Sequence, residues 1–347
     1  MDFGLSPEQT AIQQGAREFL AARSDLRAVR RNAEAGTYDA ELWRAVVGQG
    51  WTGIAVPEAE GGAGLGHVEL ALVAEENGYA CAPSPFFSNS AATIMLSAGS
   101  PEQRRRWLAG LVSGEARGAV GVVTRDGSAL VPDAGDASVL VLVNGSSAMV
   151  VGRADAQVEP VAAVDITRPY FRVRAGGGEA LSGDVAGALD RVEVLLSAEL
   201  TGVAARAMDM AVEYAKQRTQ FDRPIGAYQA VSHRCADMLL AVESARSATY
   251  FAAWTADAEP ASLAQAASVA KATAAETGWR VTSSALQVHG GIGFTWEHDL
   301  QFFLKRAAAD ARLFGSVSEH RERVAAAGLD AVAALAASSV EMATAGV

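Results

Sequence analysis

The chain has only two cysteines in 347 residues, Cys81 and Cys235, and they lie far apart. That excludes the disulfide framework of small secreted domains, and both read as buried free thiols of a cytoplasmic protein. The five histidines do not cluster with the cysteines at metal-ligand spacing, so no metal site is expected. No apolar run approaches the ~20 residues that span a bilayer. The Ala-rich stretch Gly328–Ala337 is short and weakly apolar. The opening residues Met1-Asp2-Phe3-Gly4 carry no basic or strongly apolar run, so no secretion signal is expected. Basic residues are in deficit: 29 Lys and Arg against 40 Asp and Glu leave a net charge of −11. Such a charge argues against nucleic acid as a main partner. The expectation is a cytoplasmic chain that engages neither membrane nor nucleic acid.

What is present fills more than one core, because 347 residues fit two or three packed units. Ser6-Pro7-Glu8-Gln9 has the marks of a helix start, and Ile12, Ala16, Phe19 and Leu20 follow at helical period. Helices are expected over 41–47, 67–77, 89–98 and 101–112, with an extended piece at 51–56 and a glycine-rich loop at 57–64. After Gly114 the pattern turns to β-rich runs at 120–124, 138–143, 148–151, 158–164 and 170–174, with Asn144-Gly145 as a hairpin signal. From Ser197 the chain is helical again. Small residues at Gly202, Ala204, Ala205 and Ala207 permit close helix packing, and about four helices fit an antiparallel bundle. The fold class is α+β. It comprises an N-terminal helical domain (1–115), a small middle β-barrel or sandwich domain (116–196) and a C-terminal four-helix bundle (197–347), whose tail after about Gly328 is expected to fray.

Two segments carry chemistry. Arg218-Thr219-Gln220-Phe221 leads into Asp222-Arg223-Pro224-Ile225-Gly226, and Gln287-Val288-His289-Gly290-Gly291-Ile292-Gly293 closes a later helix. Arg218 offers a planar fork of donors suited to a pyrophosphate. Gln220 can donate and accept at a ribose or phosphate edge, and Phe221 offers a face for an adenosine. Gly290 and Gly291 let a ligand approach the backbone, while Gln287 presents an amide to an adenine edge. The plainer reading makes Arg218 a helix-terminal cation and the glycines a cap and turn. The residues alone leave both open.

The run Glu213–Met238 and the stretch Gln287–Asp299 resemble the C-terminal domain of acyl-CoA dehydrogenases. The segments Leu5–Gln9 and Val56–Gly64 are similar to that family's opening domain, so the resemblance spans nearly the whole chain. It implies the three-part helical, β, helical plan, FAD as cofactor, an acyl-CoA thioester as substrate and electron-transfer flavoprotein as acceptor. It also implies that Arg218, Gln220, Phe221, Gln287, Gly290 and Gly291 grip the ADP half of a FAD lying mainly in a neighbouring subunit. Ser316 and Ser318 match positions that touch the flavin in the family.

The chain departs from the family in two places. The α-proton must be removed by a base, in the family a Glu before a Gly-Thr/Ser pair, and that position here is Phe314, followed by Gly315 and Ser316. The family's alternative base position falls on Val192. Its neighbour Glu193 is the substitute base to consider, against its reading as a solvated surface carboxylate. The flavin-facing Thr-Glu-Pro loop and its tryptophan strand are also missing; Thr124 alone is a remnant, and no tryptophan lies between Trp107 and Trp254. The resemblance is therefore to the base-lacking subunit of heteromeric acyl-CoA dehydrogenases of actinobacteria, α2β2 assemblies that often act on bulky thioesters such as sterol side chains. In that reading the chain completes the FAD site of a homologous partner. Two others stand beside it: a self-sufficient homo-oligomeric dehydrogenase with a relocated base, and a non-catalytic structural partner that binds no flavin.

Overall fold

The computed structural model describes residues 4–329. The expected frayed tail after Gly328 falls almost wholly on residues 330–347, outside the described ones.

Six helices open the chain: α1 (Pro7–Arg23), α2 (Leu26–Ala35), α3 (Ala40–Gly48), α4 (His67–Ala80), α5 (Phe86–Ser97) and α6 (Pro101–Ser113). Local chemistry sets two of their starts. Ser6 accepts from the Gln9 N–H while its own N–H donates to the Gln9 side chain, and Ser100 and Gln103 repeat this before α6. Helix α2 was not expected, although Asp25 caps its start and Gly36 ends it in a left-handed conformation. Residues 51–56 are not extended. They form a 3₁₀ turn, Trp51–Gly53, because Thr52 Oγ1 donates to the Val112 carbonyl at 2.6 Å and draws the segment onto α6.

The middle unit holds two open sheets, not closed into a barrel. The strands are β1 (Gly118–Val122), β2 (Ala129–Pro132), β3 (Val139–Asn144), β4 (Ser147–Gly152), β5 (Ala156–Val161), β6 (Tyr170–Ala175) and the short β7 (Glu179–Ala180). One sheet runs β1-β3-β4-β7, with β1 and β3 parallel; the other runs β2-β6-β5. The Asn144-Gly145 hairpin forms as expected, joining β3 to β4 with Gly145 at φ +60°. Strand β3 is buried on both faces. Leu140 and Leu142 enter the small core between the sheets, and Val139, Val141 and Val143 face the large helical core.

Helix α7 (Val185–Gln217) starts well before residue 196 and runs on through it. At 33 residues it is about 50 Å long and is the spine of the molecule. Next comes a small hairpin, β8 (Thr219–Gln220) and β9 (Arg223–Pro224), and then α8 (Gln229–Ala258), α9 (Leu263–His289), α10 (Leu300–Asp310) and a last helical stretch, 317–329. Gly202 is needed on α7: a side-chain carbon there would run into the Glu75 carbonyl oxygen of α4. On α8, Met238, Val242 and Ala245 face the core, whereas Leu239 is half-exposed. Cys81 is buried, whereas Cys235 is only half-buried.

The middle unit and the C-terminal helices meet at a buried ion network. Arg306 on α10 donates to Asp165 Oδ2 at 2.8 Å and Glu199 Oε1 at 2.6 Å, while Arg168 pairs with Glu199 and with Asp310 Oδ1 at 3.1 Å. All five side chains are buried.

Candidate functional site

The site residues sort to the two ends of α7. At its C-terminal end, Arg218 leaves the helix in an extended conformation and enters the hairpin. The hairpin's two turn residues, Phe221 at φ +50° and Asp222 at φ +62°, both lie in the left-handed region. A two-residue hairpin of this type demands that geometry, and a phenylalanine there costs about 1–2 kcal/mol. The strained ring is nonetheless 87% exposed. The Arg218 guanidinium has no ion pair or hydrogen-bond partner among the described residues, and Gln220 makes only a local bond, to the Thr219 carbonyl at 2.8 Å. A free cation, an open amide and a presented ring are a donor set that fits an adenosine diphosphate.

The second segment sits at the same end. Gly290 has φ +63° and ψ −140°, a backbone region essentially closed to other residues, and it caps α9. Gly291 is exposed, as is Gln287. The two segments are tied together by the Tyr214 and His289 rings, stacked with centroids 4.6 Å apart. His289 is buried and its Nδ1–H donates to the Ala285 carbonyl, as expected of a structural histidine.

At the other end lies Phe314, whose ring is buried and packs 6.4 Å from that of Phe87. Its φ is +56° and that of Gly315 is +106°. Lys271, fully buried on α9, holds this turn by donating to the Ala311 and Gly315 carbonyls at 3.2 Å each, and His320 Nε2 donates to the Phe314 carbonyl at 3.0 Å. Burial pushes the Lys271 ammonium down to about 8 and the His320 imidazole down to about 4. The turn walls a cavity of about 1120 Å³, bounded also by Val120, Leu130, Tyr170 and Glu193. Thr124 lines it too, but its hydroxyl is spent on Asp126 and the Ser128 carbonyl.

Glu193 is not a solvated surface carboxylate. It is 1% exposed, and Arg323 donates to both its oxygens at 2.9 and 3.1 Å and to Asp190 at 2.7 Å. Burial raises its pKa to about 7, with Arg323 opposing. Val192 is fully buried.

A second cavity, of about 950 Å³, shares Trp279, Ala308 and Arg312 with the first and carries Gln287 and Ser316 on its wall. Ser316 also caps the last helix, exchanging bonds with Glu319; Ser318 is exposed and reaches Glu322. Arg234 and Arg280 line this cavity without partners among the described residues. Sequence reading missed them because Arg280 falls outside the family-like runs and Arg234, though within Glu213–Met238, lies beyond the Arg218–Gly226 segment. Among the described residues no group of His, Cys, Asp and Glu could hold a metal ion, and no helix is long and apolar enough to cross a membrane.

The family of acyl-CoA dehydrogenase N-terminal domains matches residues 6–115, and that of the C-terminal domains matches 184–329. Acyl-CoA dehydrogenase IpdE2 of Mycolicibacterium smegmatis is 34% identical over 93% of this chain and 99% of its own length. The chain belongs to the acyl-CoA dehydrogenase family. FadE34 of Mycobacterium tuberculosis is 35% identical over 93% of the chain, but the chain spans only 48% of that longer acyl-CoA dehydrogenase. Among solved structures, the Tcur3481-Tcur3483 steroid ACAD G363A variant superposes with a TM-score of 0.86 at 26% identity, over 94% of this chain and 99% of that one. The ChsE4-ChsE5 complex from Mycobacterium tuberculosis gives 0.85 at 25%, over 94% and 98%. Both structures are named for a pair of chains. The fold expected from the motifs is the family's own.

Proposed function

We propose that this chain is one subunit of a FAD-dependent acyl-CoA dehydrogenase and works with a homologous partner, as an α2β2 assembly. Its Arg218–Phe221 hairpin and its Gln287–Gly291 segment grip the ADP half of a FAD held mainly by that partner. The observation that carries this reading is a separation. Glu193 and Arg218 are divided by about 35–40 Å of α7, too far for the ring site and the hairpin of one chain to share one dinucleotide. The hairpin therefore serves a flavin outside its own subunit.

FAD, when bound, supplies the hydride acceptor for α,β-dehydrogenation of an acyl-CoA. This chain supplies binding. Arg218 neutralises the diphosphate, Phe221 covers the adenosine, and Gly290 and Gly291 keep side chains out of the way. Phe314 cannot accept a proton, so the base comes from the partner. The likeness to a steroid ACAD named for two chains supports a bulky acyl thioester as substrate, and the likeness to a structure titled as an electron transferring flavoprotein of Acidaminococcus fermentans supports such a flavoprotein as acceptor. The test is FAD content and acyl-CoA turnover of the chain alone and co-expressed with a homologous subunit. Flavin and turnover appearing only together, with one FAD for each pair of chains, support the reading. A yellow, active protein from this chain alone sinks it.

One observation favours a second reading. Glu193 stands on the same cavity wall as Phe314, with a pKa near that of a working base. A self-sufficient enzyme would lose its turnover in Glu193→Gln; the Arg323 guanidinium on that carboxylate argues for the first reading.

A further inference from the structure

Neither half of the clamp fixes its own spacing. Tyr214, one turn before Arg218, stacks on His289 with centroids 4.6 Å apart and rings 24° from parallel. His298, beyond the Gly290–Phe294 turn, meets His289 edge-on at 4.6 Å and 61°. The same loop is held from the N-terminal helices. Arg30 on α2 donates to the Trp296 carbonyl at 2.8 Å, the Glu297 carbonyl at 3.1 Å and Asp299 Oδ1 at 2.6 Å, and its guanidinium lies 5.0 Å above the Phe302 ring. Three converging acceptors suit a planar fork and not a single ammonium.

We propose that Arg30 and the Tyr214–His289–His298 stack are positioning residues for the clamp: they hold Gly290 and Gly291 in register with Arg218, so that the grip on the flavin's ADP half is set jointly by the N-terminal helices and the bundle. The inference rests on the function proposed above. It has a consequence in pH. His298 Nδ1 accepts from the Leu300 N–H at 3.2 Å, which seats that ring neutral, while His289 donates through Nδ1 to the Ala285 carbonyl, a bond open to either protonation state, with burial favouring the neutral ring. The charged and titratable groups set against them are Tyr214 from α7, stacked on His289, and Arg30 from α2 and Asp299 of the loop, both acting on His298. Burial holds both imidazoles below their ordinary pKa; His298 further lowers His289, and Arg30 lowers His298 against Asp299. A proton on either ring places a cation against the other, so the stack loosens as pH falls.

The test is FAD affinity of the flavin-free protein, purified with its homologous partner, followed by flavin fluorescence from pH 5 to 8; turnover is not needed. Arg218→Ala reports on the clamp itself. Arg30→Ala is expected to weaken FAD about tenfold or more, the loss of charge-assisted hydrogen bonds read through binding, and Arg30→Lys to recover part of it. Wild-type affinity is expected to fall toward the acid end of that range. His298→Asn keeps an oxygen for the Leu300 N–H and is expected to flatten that fall. If Arg218→Ala weakens FAD while Arg30→Ala binds it as the wild type does, the clamp stands and the positioning role is overturned. If Arg218→Ala has no effect, the clamp reading fails and takes this proposal with it. Should Arg30→Ala not fold, Tyr214→Leu carries the same test, and unaltered FAD affinity in it overturns the proposal. So does a flat wild-type pH profile.

Discussion

Arg323 donates through Nη1 to both oxygens of Glu193 and through Nη2 to Asp190 on the wall of the cavity, half in solvent and half against a carboxylate that is 1% exposed. Removing the cation leaves Glu193 buried and unpaired. Arg323→Met is expected to cost about 1–3 kcal/mol at pH 8, below the full penalty for a broken buried pair because the guanidinium is partly solvated. The sign with pH is definite. Glu193 already has a folded pKa raised to about 7 by burial, so its ionisation opposes folding as pH rises past that value. The variant's deficit should therefore be smaller at pH 5.5, where the group is protonated. Thermal unfolding at the two pH values checks it, and an equal loss at both would mean that Arg323 acts through packing alone.

The network around Arg168 and Arg306 makes a related prediction. Burial raises Asp310 to about 7 and Asp133 to about 6, and in each case arginine opposes the rise. Both folded values exceed the ordinary carboxylate value, so the native chain holds protons that the unfolded chain has released. Stability contributed this way is full below the ordinary carboxylate value and is lost as pH climbs from about 4 to about 7, the last part of it, about 1–2 kcal/mol, above pH 6. Urea midpoints across that range should slope downward, and Asp310→Asn should flatten the slope. Arg306→Met leaves Asp165 without its cation and Glu199 with Arg168 alone, and is expected to lose about 3–5 kcal/mol.

At the crossing of α4 and α7, two glycines face opposite backbones. A side-chain carbon on Gly202 would strike the Glu75 carbonyl, and one on Gly78 would strike the Glu199 carbonyl. Backbone cannot swing aside as a flexible side chain does. Gly202→Ala is expected to lose about 2–3 kcal/mol or more, seen as a lower denaturant midpoint at unchanged slope. Gly15→Ala, with open space around it, is the control and should be neutral or slightly stabilising.

How far these features were readable in the chain depended on distance along it. The start of α1 is written in Ser6, Pro7 and Gln9, and the β3–β4 turn in Asn144 and Gly145, so both were legible. The 3₁₀ turn at Trp51 was not, because its cause is a bond to Val112. Strands β2 and β7 are short and exist through their neighbours. Glu193 looked like a surface carboxylate because Arg323, its partner, stands 130 positions away. Arg30 gave no sign of reaching the clamp, since the Trp296 carbonyl is 266 positions distant. The residues proposed as the clamp stood out because their motifs are contiguous, and the structure leaves Phe221, Gln287 and Gly291 exposed.

Phe314 offers the last prediction. Its ring is buried against Phe87, and its backbone sits at φ +56°, a conformation that opposes any side chain. The turn does not depend on the ring: Lys271 holds the Ala311 and Gly315 carbonyls, and His320 holds that of Phe314. Truncation should therefore remove packing without unmaking the turn. Phe314→Ala is expected to cost about 3 kcal/mol, at the low end for a buried ring because the site already borders a cavity. Phe314→Gly deletes as much but releases the left-handed strain, so it should be more stable than the alanine variant by about 1 kcal/mol. That order reverses the usual ranking of the two residues. If glycine proves the worse of the pair in denaturant titrations, the strain at this position is not real.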